Sequence, residues 1–325
     1  MEMRKFSWKL ASQALWQLRV RGRPFVLSHA VTTRCNLKCS FCRYWKNPGP
    51  EMGRDEICDM LRDARSFGIG AYNAWAAEPL MRDDLPQILA CARSLGMTTS
   101  LVTNGLLLKR RLPELAGLDY LTVSLDGLEC YRELRGADPK TVVDAICAAK
   151  EAVPEILINC VISQRNLDEL PRLVELARSL GVWVSFEPMH KENGIDDLAW
   201  QKFSICDESA YKEAIDRLIR LKESGAPIIN SLTYLKMVRG KRPTFRCRAS
   251  DIILHVTAEG AVHCCRAQDQ PLGHVSQGLA RVWERSKIDR KRISRQCPGC
   301  LFFGYAENSM LFDMVPEVLA HYEWM

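Results

Sequence analysis

The residues that could do chemistry crowd into one short stretch, "TTRCNLKCSFCRYW", residues 32 to 45. Cys35, Cys39 and Cys42 are spaced C-x3-C-x2-C, with Phe41 just before the third. Soft thiolate sulfur suits zinc and iron–sulfur clusters. Three thiols from one loop fix three corners of a tetrahedral or cubane site, and a site with an open corner acts on whatever binds there. A structural zinc site would instead close its fourth position, and His29 stands six residues upstream within an expected strand. A second constellation lies near the other end: Cys247, Cys264, Cys265, and Cys297 with Cys300 as C-x2-C. Four of these five thiols make a four-sulfur site for a cluster or for zinc. Neighbours on a strand face opposite sides, so only one of Cys264 and Cys265 should point at it.

These loops need elements to hold them. From residue 26 to 188 the sequence alternates between two periods. Strands are expected in "FVLSHAVT", "GAYNAWAA", "MTTSLVTNG", "DYLTVSLDG", "EILINCVIS" and "VWVSFEP". Helical spacing separates them: Ile57 to Ala64, Leu85 to Leu95, a shorter stretch near 109 to 116, a helix opened by Pro139, and Leu170 to Leu180. Six strands with five intervening helices call for a parallel sheet wrapped by helices. The cysteines, Glu78, Asn104 and Asp126 all fall after strands, where such barrels collect their chemistry. Six units are too few for a closed eight-stranded barrel. The fold class is therefore α/β: a partial (β/α)6 TIM-type barrel with a small C-terminal cysteine-bearing domain.

The expected boundaries are an N-terminal amphipathic helix over 1–25, the barrel core over 26–190, a helical connector over 191–240 with helices near 207–223 and 229–238, and the cysteine-bearing domain over 241–325. In the last, two short strands flank a turn at Glu259-Gly260.

Composition narrows the classes. With 47% hydrophobic and 26% charged residues and a net charge of +6, the 325-residue chain reads as an ordinary globular protein, with no nucleic-acid partner expected. No secretory leader is visible, and no run approaches the ~20 apolar residues of a membrane span. Fourteen cysteines in such a chain read as metal or redox groups rather than disulfides, and a cytoplasmic location is expected. Cys58, Cys91, Cys130, Cys147, Cys160 and Cys206 read as isolated small residues.

"CNLKCSFC" after the first strand resembles the signature of the radical S-adenosylmethionine (radical SAM) superfamily. That resemblance implies an enzyme. Cys35, Cys39 and Cys42 would hold a 4Fe-4S cluster whose fourth iron is chelated by S-adenosylmethionine. Reductive cleavage would give a 5′-deoxyadenosyl radical, which abstracts hydrogen from a substrate. "AAEP", Ala76 to Pro79, occupies the place of the family's Gly-Gly-Glu-Pro motif, which implies that Glu78 meets the methionine amino group. Alanines replace both glycines and lose freedom at positive φ, so the contact is expected from the Glu78 side chain more than from the backbone. "SLDG" resembles the polar pair that meets the ribose, which implies Ser124 and Asp126. Asn104 and Asn159 sit at strand ends facing the nucleoside, and Phe41 and Tyr44 would lie against the adenine.

The second constellation resembles the twitch domain, a shortened relative of the SPASM domain. It implies an auxiliary 4Fe-4S cluster held by Cys247, Cys264 or Cys265, Cys297 and Cys300, with family spacing favouring Cys265. An external flavodoxin- or ferredoxin-like electron donor is implied. The substrate is open between a peptide, a small polar metabolite and a lipid precursor. Glu187, Met189 and His190 are candidate contacts by position. The basic, tryptophan-bearing N-terminal helix is expected to pack on the barrel, with peripheral membrane contact as its other use. The rival to the enzyme reading is a non-enzymatic zinc-binding interaction protein on a β/α scaffold.

Overall fold

The computed structural model describes residues 8–46, 48–191, 195, 197–267 and 270–319. A short helix, α1 (Trp8–Leu15), continues into a π-helical turn at Trp16–Val20. Six parallel strands follow: β1 (Val26–Ala30), β2 (Ala71–Trp75), β3 (Thr98–Thr103), β4 (Tyr120–Ser124), β5 (Glu155–Ile162) and β6 (Trp183–Pro188). Between them run α2 (Arg54–Phe67), α3 (Leu85–Ser94), α4 (Leu108–Arg111), α5 (Tyr131–Arg135), α6 (Pro139–Ala149) and α7 (Leu170–Leu180). The expected strands and main helices are all present. The five-residue α5 was not anticipated, because one and a half turns are too short to show a period.

Each strand sorts its residues by face. Leu27, Tyr72, Leu101, Leu121 and Ile158 are fully buried under the helices. Asn73, Ser100, Thr122, Ser124, Asn159 and Glu187 alternate with that set and are half-exposed on the inner face. The sheet is thus a partial barrel with an apolar outside and a polar inside. The helices are cut to length by their ends. Asp138 caps α6 by accepting from Lys140 N–H at 3.0 Å. Gly68 ends α2 at φ 107°, and a Cβ there would strike the Gln17 side chain at 2.4 Å. Gln17 is buried and donates to Pro24 O and Phe67 O, which pins the N-terminal segment to the end of α2.

After β6 the chain forms α8 (Asp197–Phe203), α9 (Glu208–Glu223) and α10 (Leu232–Arg239), the last two close to their expected limits. The segment between them shields an edge. Val184 N–H donates to Pro227 O, and Asn230 both accepts from Phe186 N–H and donates to Phe186 O. The open side of β6 is thereby satisfied.

The remaining chain contains α11 (Ala249–Ile252), β7 (Ile253–Val256), β8 (Ala261–His263), β9 (Gly273–His274), α12 (Leu279–Arg285), α13 (Lys287–Gln296), α14 (Phe303–Phe312) and α15 (Pro316–Leu319). The expected hairpin is β7–β8, turning at Gly260 with φ 96°. Its position was not expected. β7 lies parallel to β1, so the order is β6-β5-β4-β3-β2-β1-β7-β8-β9 in one nine-stranded sheet. The cysteine-bearing segment continues the barrel sheet instead of hanging from it.

Candidate active site

The cysteine loop leaves β1 and is strapped down along its length. The Glu51 carboxylate accepts from Thr32 Oγ1 at 2.7 Å and Thr33 N–H at 2.8 Å. Arg82, 4% exposed, donates to Val31 O and Met52 O while pairing with Asp84. At the far end, Ser40 donates from N–H to Leu134 O and from Oγ to Glu133 O, so the loop rests on α5. Burial raises the Cys35 thiol and lifts Cys39 to about 11. Cys35 lies within electrostatic reach of Cys42, and Cys39 within reach of both. Buried thiols of this kind keep their protons until a cation replaces them.

Asn104 ties β3 to this loop. Its Nδ2 donates to Asn36 Oδ1 at 2.8 Å and faces Cys35 Sγ at 3.9 Å. Phe41 is wedged between the Arg135 guanidinium, 5.4 Å above its ring, and the Phe203 edge. Tyr44 is 40% exposed on a short 3-10 turn. His29 is turned away, on the outer face of β1, with Nδ1 at 2.9 Å from Tyr72 OH. It is not a fourth ligand.

Two carboxylates are enclosed by protein donors. Glu78 is fully buried, and its oxygens accept from Leu80 N–H, Thr103 Oγ1 and Asn104 N–H. Burial raises it to about 7 against those three donors. The side chain joins the ends of β2 and β3. The backbone before it shows the opposite surprise: Ala76 and Ala77 hold φ of 74° and 41°. The left-handed turn of the glycine motif is kept without the glycines. Asp126 is likewise closed, 0% exposed, with Arg135 Nε at 2.5 Å on one oxygen and Val161 N–H at 2.9 Å on the other. It anchors Arg135 and β5. Ser124 and Asn159 are paired in register on the inner face. Asn159 accepts from Ser185 Oγ and donates to Glu187 Oε1 at 3.1 Å, and Glu187 Oε2 takes Phe303 N–H. Met189 is buried beside Leu134 and Phe203, and the His190 ring stacks on Phe302 at 4.3 Å.

The second constellation sorts itself by hydrogen bonding. Cys247, Cys265, Cys297 and Cys300 each accept an N–H from two residues on: Ala249, Ala267, Gly299 and Phe302. Cys35 does the same with Leu37. Such donors favour the thiolate that binds a metal. Cys300 is raised to about 12 by burial first, then by Cys247, Cys265 and Cys297, so the four share one environment. Cys264 is 2% exposed and raised by burial and by neighbouring Cys265 and Cys247, so it borders the same environment, but among the described residues no N–H two residues on donates to it. Among the described residues no three His, Cys, Asp or Glu side chains close on one point as a single metal ion requires. The ligand sets are therefore read from shared surroundings and from donors.

Two pairs of cysteines that looked isolated are neighbours. Cys58 and Cys91 hydrogen-bond across α2 and α3. Cys130 and Cys160 both face Asp126 O. Arg135, Tyr305, His255 and Arg266 were missed altogether. Arg266 lies over both Trp75, at the end of β2, and Phe302, so the second thiol region reaches the end of β2.

Comparison with known proteins agrees with this arrangement. Residues 30–177 match the Radical SAM superfamily. A "Probable GTP 3',8-cyclase" of Methanosarcina acetivorans is 31% identical over 83% of this chain and 85% of its own. An "AdoMet-dependent heme synthase" of Methanosarcina barkeri is 26% identical over 92% of this chain and 97% of its own. Streptococcus suis SuiB, solved with its precursor peptide SuiA, aligns with a TM-score of 0.66 at 17% identity, over 85% of this chain and 68% of SuiB. A thiol loop after the first of six parallel strands, a left-handed turn after the second and a relative matched over most of both lengths establish that this chain belongs to the radical SAM superfamily and is an enzyme of S-adenosylmethionine and a 4Fe-4S cluster.

Proposed function

We propose that the two thiol sets serve two clusters flanking one polar pocket. Cys35, Cys39 and Cys42 hold the 4Fe-4S cluster at which S-adenosylmethionine binds. Cys247, Cys265, Cys297 and Cys300 hold an auxiliary 4Fe-4S cluster. The observation that carries this reading is the shared N–H donation to Cys247, Cys265, Cys297 and Cys300, which Cys264 lacks. The family's enzymatic chemistry replaces the rival of a zinc-binding interaction protein.

Held by Cys35, Cys39 and Cys42, the first cluster would supply the one-electron reduction by which S-adenosylmethionine is cleaved. The chain's own part is positioning. Glu78 locks the β2 and β3 ends, so that the Ala76-Ala77 carbonyls and Asn104 keep their places. Arg135 holds Phe41 over the loop, and Ser124 and Asn159 present polar groups to the nucleoside side. Asn73, Ser100, Thr122 and Glu187 make the inner face polar, which favours a small polar or peptide substrate over a lipid chain. The heme synthase and SuiB similarities are compatible with both of these. Electrons come from a flavodoxin- or ferredoxin-like donor.

One observation favours membrane contact as a second use of the N-terminal segment. With Gln17 buried, Trp8, Leu15, Trp16 and Val20 are 78, 56, 57 and 61% exposed. Among the described residues no helix is long and apolar enough to cross a membrane, so any contact is peripheral. Sedimentation with anionic vesicles should lose the protein when Trp8 and Trp16 become serine; equal pelleting of both forms dismisses the contact.

The main test is anaerobic reconstitution with iron and sulfide. Native protein should carry about eight irons, by the two four-iron clusters proposed, and release 5′-deoxyadenosine under dithionite. Cys265→Ala should carry about half as much iron, and Cys264→Ala the full amount. Equal iron in the two variants defeats the ligand assignment.

A further inference from the structure

Tyr305, on α14, sits beneath the second thiol set in a closed hydrogen-bond junction. It is 5% exposed, and its ring packs edge-on against His255 and Phe302. Its hydroxyl has three neighbours: His255 Nε2 at 2.9 Å, Arg266 N–H at 3.2 Å, and the Cys265 thiol. A tyrosine hydroxyl has one proton to give and two lone pairs to fill. Which neighbour receives the proton depends on the histidine.

His255 lies on β7, buried, and its Nδ1 has no hydrogen-bond partner among the described residues. Burial, with Arg266 nearby, holds the ring neutral and pushes its pKa down to about 3. A neutral imidazole carries one proton. If that proton were on Nδ1, a buried N–H donor would be orphaned, which is the costlier defect. Placed on Nε2, it is donated to Tyr305 Oη and leaves Nδ1 as a bare acceptor. Arg266 N–H fills the second lone pair. Both acceptor sites of Tyr305 are then taken, and its own proton has only Cys265 Sγ to go to.

We infer that the His255–Tyr305 junction is a directional device that commits the tyrosine proton to the Cys265 thiolate, and so raises the reduction potential of the auxiliary cluster. It rests on the auxiliary-cluster reading above. Cys265 then accepts two hydrogen bonds, from Tyr305 and from Ala267 N–H. No other thiol of the set combines a backbone donor with a buried tyrosine among the interactions described. A donor to a ligand sulfur withdraws charge from the cluster and favours its reduced state. Tyr305 and His255 are positioning residues, since they act through Cys265.

The test uses reconstituted full-length protein, with iron counting and EPR-monitored redox titration. In native protein two clusters should titrate separately. Tyr305→Phe should keep the full iron content and disfavour reduction of the auxiliary cluster about tenfold, the worth of one hydrogen bond to a charged group, or about 59 mV for a one-electron couple. The catalytic cluster should not move. His255→Leu, which offers the hydroxyl no acceptor, should keep most of the native value, whereas His255→Glu, whose carboxylate takes the tyrosine proton, should fall toward Tyr305→Phe. In deuterium oxide, Tyr305→Phe should lose the hydroxyl's share of the exchangeable-deuteron signal at the auxiliary cluster and keep the share of the backbone donors. Equal midpoints in native and Tyr305→Phe protein, or an unchanged deuteron signal, overturn the inference while the two-cluster reading stands. A native protein with only four irons removes both.

Discussion

Replacing Ala76 and Ala77 by glycine should stabilise the protein. Both residues hold positive φ, 74° and 41°. There an L-residue's Cβ crowds the following carbonyl, at roughly 1–2 kcal/mol per residue. Glycine removes that strain but adds freedom to the unfolded chain; the net gain at such positions is about 1 kcal/mol. The half-buried methyl lost at each site subtracts about 0.4 kcal/mol, half the value of a buried methylene. The expected net is about 0.6 kcal/mol per position and about 1.2 for the pair. Unfolding entropy near 2.1 cal/mol/K per residue gives about 0.7 kcal/mol/K for 325 residues. The double variant should therefore melt about 2 °C higher by scanning calorimetry. Ala76→Val should move the other way by more, since a branched residue tolerates this backbone worse. Either glycine variant melting below native protein would refute the reasoning, because it would mean that packing of the methyls outweighs the strain.

Three further outcomes follow from buried groups. Glu307 is raised to about 7, chiefly by burial. An acid held above its unfolded value is favoured protonated in the fold. Its stabilisation is therefore fully present below the ordinary glutamate value of about 4.5 and is lost as pH rises through about 7. Urea unfolding of Glu307→Gln should show a shallower loss of stability across that window, by something of the order of 3 kcal/mol. Arg135→Met leaves Asp126 buried and unpaired, and should cost about 3–5 kcal/mol in urea unfolding. Leu173→Ala, in the fully buried face of α7, should cost about 2–5 kcal/mol in the same assay.

The sequence made the six parallel strands readable because each alternates in period two and is bracketed by a helix period or a turn. The thiol loop was readable because ligand spacing is local. Three things were hidden, each for a physical reason. The pairing of β7 with β1 joins segments far apart in the chain, and nothing in local periodicity names a partner strand. Glu78 and Asp126 sit where ligand-binding carboxylates belong, yet both are enclosed by donors supplied by other strands and by α5. The choice between Cys264 and Cys265 is narrowed in the sequence by face alternation and by the spacing that the resemblance implies, both of which are local, whereas the Ala267 donor and the Tyr305 hydroxyl that support the proposed Cys265 come from the folded chain.

The placement of β7 also constrains the order of assembly. β1 to β6 are neighbours in chain order, so they can pair progressively as the chain emerges from the ribosome. The free side of β1 cannot be covered until Ile253 to Val256 have been made, more than two hundred residues after Val26. During that interval an unpaired strand edge, a template for aggregation, borders the very loop that must collect iron. A nascent chain stalled before β7 would thus expose an adhesive edge and an oxidisable thiol trio together. Completion of the last quarter protects both at once.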